Sequence, residues 1–174
     1  VFEAFGLPVE ERNFIVENMA YEDGHYFNFE TKSGHPDISR LETQMWFFYR
    51  ASLFINLGCE SVHLGSTPCM TDVDARTGYK GWKKVTSLIH EYARKHARRG
   101  WVLLNAHTAD MKTPDDELIF DFFAWLILAS IPEGEVAGPP TEEHPQRLEI
   151  VPGANPGAIY GKAPGGKHPC GYTV

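Results

Sequence analysis

Two stretches of the chain carry the same order of signals. In the first, a helix-period stretch stops at Gly58, and a short apolar strand from Glu60 to Leu64 follows at once, with His63 near its far end. In the second, a helix-period stretch stops at Gly100, and the strand from Trp101 to His107 follows, again ending in histidine. Helix, glycine stop, buried strand and polar residue at the carboxyl end is the wiring of a parallel α/β protein. In such folds ligands bind at the carboxyl ends of the strands. The repeat therefore predicts a fold class and an address for a site, but no reaction.

The first helix is expected from about Asp37 to Leu57. Ser39 and Glu42 have capping-box spacing, Leu41, Met45, Tyr49, Leu53 and Ile55 trace an apolar stripe, and Gly58 is placed for the stop. The second runs from about Tyr79 to Arg99 on Trp82, Val85, Leu88, Ile89, Tyr92, Ala93 and Ala97. A third strand is expected from Leu118 to about Phe123, where β-type and aromatic residues crowd. Before the first helix, Asn13 to Glu17 reads as a strand candidate, and His25 to Pro36 as an exposed loop. The clear helix–strand repeats fill residues 37–130. Residues 131–174 are rich in proline and glycine and read as an irregular segment with short strands around Leu148–Val151 and Ala158–Tyr160.

Composition narrows the partners. The chain of 174 residues is 43% hydrophobic, enough for one domain with a sizeable core. Its formal charge is −7, a poor match for nucleic-acid phosphates. The one basic cluster, Arg94 to Arg99, lies in the last turns of a helix, where cations complement the dipole. No apolar run reaches membrane-spanning length. The three cysteines, Cys59, Cys69 and Cys170, form no CxxC pair, so neither a disulfide scaffold nor a zinc knuckle is expected. No signal-peptide pattern is present, which favours a cytoplasmic location. The chain begins at Val1 without methionine and ends without a closing element, as expected of a partial domain.

Strand side chains alternate, so parity sorts the candidates. Ser61 and His63 share one face of the first strand, Asn105 and His107 one face of the second, and Asp121 falls with Ile119 and Phe123 in the third. A barrel interior admits polar residues at its upper mouth. His63, Asn105, His107 and Asp121 are thus expected to converge on one pocket. Imidazole moves protons near neutral pH, Asn bonds a hydroxyl or an oxyanion, and Asp can be base, nucleophile or ligand. His63, His107 and Asp121 would also suit a divalent metal such as zinc. Glu17 is a further catalytic candidate if it ends a strand; Tyr21 and Trp125 are candidates for substrate contact. Glu60 begins its strand and is read as structural. Gly161 to His168 follows the first seven positions of a phosphate-binding loop, but His168 replaces the required Ser/Thr and no helix follows, so it reads as loop.

The runs Arg50–Gly65 and Trp82–Thr108 resemble consecutive units of the bacterial glycoside-hydrolase-like (β/α)8-barrel proteins. The resemblance covers about residues 37 to 125 and implies a TIM-type barrel, present here only in part, since whole barrels run to about 250 residues. It also implies a carbohydrate substrate and hydrolysis of a glycosidic bond by acid/base chemistry. Such enzymes use two carboxylates, for which only Asp121 and Glu17 stand as candidates. No cofactor is implied. The alternatives are a metal-dependent hydrolase on His63, His107 and Asp121, and a non-catalytic sugar-binding barrel. Exposed sheet edges of a partial barrel would call for the rest of the chain or a second copy.

Overall fold

A computed structural model describes residues 1–107, 111–115, 117–123, 129–130 and 149–150. Its centre is a parallel sheet of three strands, β3 (Ser61–His63), β4 (Leu103–Ala106) and β5 (Phe122–Phe123), in that spatial order. Helices α1 (Leu41–Asn56) and α3 (Lys80–His96) pack on each other and on one face of this sheet. Antiparallel two-residue pairs form β1 (Phe27–Asn28) with β2 (Ser33–Gly34), and β6 (Ala129–Ser130) with β7 (Glu149–Ile150). The described strands close no barrel.

The buried face of α3 is its expected stripe, but that of α1 is turned from the expected one, leaving Leu41, Tyr49 and Leu53 exposed. Phe47, Phe48, Ala51 and Ile55 of α1 meet Trp82, Val85, Ile89 and Ala93 of α3, above Val62, Leu64, Val102, Leu104 and Ala106 of the sheet. Each large side chain buried here contributes about 1.5–3 kcal/mol. The opposite sheet face carries Ser61 and His63, both exposed, and half-exposed Leu103.

Helix ends depart from the simplest reading. Gly58 adopts φ 88°, Gly58 N–H bonds Ile55 O and Cys59 N–H bonds Phe54 O, the paired pattern of a glycine stop. Helix α3 instead ends at His96 because Ala97 is extended; Gly100, at φ 69°, closes the following turn. The capping box does not form. Asp37 takes both the Ser39 N–H and the Ser39 hydroxyl, while Glu42 binds Arg12 and the Ile15 N–H. The start of α3 is capped from outside by buried Asp74, which accepts from Gly81 N–H at 2.7 Å and Trp82 N–H at 3.0 Å. A Cβ at Gly81 would lie 2.6 Å from Ile38 O, so only glycine fits there.

The stretch expected as a strand from Asn13 to Glu17 contains instead a short 3-10 turn, Val16–Asn18. The short helix α2 (Asp72–Arg76) lies in the loop before α3. Arg98 and Arg99 both converge on the Glu60 carboxylate just before β3, at 2.7 and 3.1 Å, which accounts locally for the last two cations of the basic cluster. No helix among the described residues is long and apolar enough to cross a membrane.

Candidate functional site

The carboxyl ends of β3 and β4 bring three of the predicted residues together. In register, His63 lies opposite Asn105. The backbone then ties the two ends: Leu64 N–H donates to Asn105 O at 2.8 Å, and His107 N–H to Gly65 O at 2.9 Å. Gly65, at φ 88°, turns the chain away, and the Thr67 hydroxyl reaches back to His107 O.

The side chains form a directed row. Asn105 Nδ2 donates to Ser61 Oγ at 3.1 Å, which faces Asn105 Oδ1 toward His63 Nδ1 at 2.6 Å. An amide oxygen only accepts, so Nδ1 of His63 carries the proton. In the neutral ring Nε2 is then the basic atom. His107 stands beside it, with ring centroids 4.4 Å apart at 55°. Burial, and secondarily the nearby His63, hold the His107 imidazole below its ordinary value. A site of two imidazoles, one with its tautomer set by an amide, can accept and return a proton near neutral pH.

Asp121 does not join them. Its Oδ2 accepts from Leu104 N–H at 2.6 Å and from His90 Nε2 at 3.1 Å, so the carboxylate is buried between β4 and α3. The chain bends at Phe120 and Asp121 before β5 begins, so alternation counted from Ile119 does not carry through to Asp121. Among the described residues no group of three His, Cys, Asp or Glu side chains is arranged to hold a metal. Glu17 sits in its 3-10 turn, paired with Lys32 at 2.8 Å, which holds its carboxyl below the usual range.

Tyr21 is buried rather than exposed. Its hydroxyl donates to Cys69 O and accepts from Asp72 N–H, both at 3.3 Å, and its ring stacks on His25 at 3.9 Å. Burial raises the phenol above its ordinary value. Trp125, residues 158–160 and the glycine-rich 161–168 lie outside the described residues.

His90 escaped the sequence reading. It lies on the core side of α3 beside Ile89, where a polar residue amid an apolar stripe was the available signal. Comparison of the chain with protein-family models, curated proteins and solved structures returns no match.

Proposed function

We propose that this chain is a carbohydrate-active enzyme working by acid–base chemistry, with His63 and His107 as its proton-transfer groups. The observation that carries the reading is the His63–Asn105 hydrogen bond of 2.6 Å beside His107, at the carboxyl ends of two parallel strands. Asn105 orients His63, and the Nε2 atom of His63 serves as base. His107, whose hold on a proton is weakened by burial first and His63 second, accepts or returns the second proton. The partial (β/α) barrel remains the architecture we propose for the whole. Glycosidic-bond hydrolysis is the reaction to examine first. Imidazole takes the leading role because Glu17 and Asp121 are engaged with Lys32 and with His90 and Leu104.

Aryl glycosides, oligosaccharides and reducing sugars, followed by proton NMR, distinguish hydrolysis from isomerisation. Turnover that His63→Ala abolishes while the melting transition is kept supports the proposal. Failure of the entire panel sinks it. Saturable sugar binding without turnover points instead to a sugar-binding barrel. The side-by-side imidazoles also favour a second reading, a divalent metal held partly by His63 and His107. Stoichiometric zinc retained through dialysis, and lost in His63→Ala, would establish it.

A further inference from the structure

A cavity lies away from His63 and His107, between α3 and the residues Thr113 and Glu117–Ile119. Its volume is about 310 Å³, the lower end of the range for small-molecule sites. One wall is His90, which is 4% exposed. Trp101 stacks on the imidazole face at 4.2 Å and 15°, and Asp121 holds Nε2. The ring is therefore fixed, and Nδ1 is the atom left to bond a ligand.

Glu117 is matched by Lys83, and Glu91 by Lys95. Arg94 stands one turn beyond His90 on the same face of α3, lines the cavity, and makes no ion pair with any described residue. Across from these groups, Leu118 and Ile119 supply an apolar wall. We propose that this cavity binds a small organic carboxylate. Arg94 takes the carboxylate, His90 Nδ1, an acceptor while Nε2 donates to Asp121, is left for a donor group on the ligand, and Trp101, Leu118 and Ile119 cover the hydrocarbon part. A guanidinium fork suits a carboxylate because both oxygens can be bonded at once.

The test uses the full chain with benzoate as probe, benzamide as its neutral counterpart and inorganic phosphate as an ion without a hydrocarbon part. Binding is read from the His90 ring and Trp101 indole resonances. Benzoate is expected to shift both saturably, benzamide and phosphate to shift neither. Arg94 is exposed, so Arg94→Gln should fold normally; losing the charge-assisted fork should weaken benzoate about tenfold or more. Equal responses to benzoate and benzamide, a response to phosphate alone, unchanged affinity in Arg94→Gln, or no saturable response would each overturn the proposal. Sugar turnover does not enter the readout, so the two sites are tested independently.

Discussion

Replacing Asp121 by alanine should destabilise the fold rather than merely silence a site. The Asp121 carboxylate accepts from Leu104 N–H at 2.6 Å and from His90 Nε2 at 3.1 Å, and its side chain is 2% exposed. Alanine leaves both donors buried without that acceptor. Each orphaned group costs about 1–3 kcal/mol, so the pair costs about 2–6 kcal/mol. A domain of ordinary stability has about 5–15 kcal/mol in total, so Asp121→Ala should be close to unfolding. Asp121→Asn keeps the shape and one acceptor oxygen. That oxygen can still take Leu104 N–H, and His90 can move its proton to Nδ1 to receive the new amide. Its cost should fall in the lower half of the range for Asp121→Ala. Urea unfolding followed by circular dichroism measures both, as shifts in midpoint at constant slope. A loss below about 1 kcal/mol in Asp121→Ala would refute the assignment of this carboxylate as a buried tie between β4 and α3.

Other expectations follow from the same kind of accounting. Asp74→Ala should cost about 1–3 kcal/mol by freeing the Gly81 and Trp82 amides, and Gly81→Ala should be more damaging than an ordinary helix substitution because of Ile38 O; thermal melts compare them. Arg12, through its side-chain hydrogen bonds, holds Glu42 below the usual carboxylate range. A depressed folded value contributes stability above the unfolded value and loses it as pH falls through the folded one, so Glu42→Gln should be less stable than the parent at neutral pH, with the gap closing under acid. His107 is likewise depressed, by burial first and His63 second, from 6.5. Its neutral form therefore stabilises above about pH 6.5 and that gain fades below it; in His63→Ala an NMR titration should find His107 moved upward toward its ordinary range.

Much of the helical framework was legible because it depends on local signals. The α3 stripe is the buried one, and Gly58 makes the turn its position implies; of the α1 stripe only Met45 and Ile55 are buried, while Leu41, Tyr49 and Leu53 are exposed and Phe47, Phe48 and Ala51 fill the core instead. Alternation placed Ser61, His63, Asn105 and His107 on one face because β3 and β4 pair in parallel over those residues. The same counting failed for Asp121, where a bend precedes the strand and reorients the side chain. The capping box lost to longer-range partners: Arg12 reaches Glu42 across 30 positions, which no local pattern encodes. The external cap by Asp74 and the pairing of His90 with Asp121 were hidden for the same reason. Each joins residues that only tertiary packing brings together.

The most direct measurement is the tautomer of His63 in the folded chain, from long-range proton–nitrogen correlation at neutral pH. The structure predicts a proton on Nδ1 and none on Nε2, and loss of that preference in Asn105→Ala, since Asn105 Oδ1 lies 2.6 Å from Nδ1. A proton resident on Nε2 in the parent, or the same tautomer with and without Asn105, would contradict the claim that Asn105 prepares His63 as the base of this site.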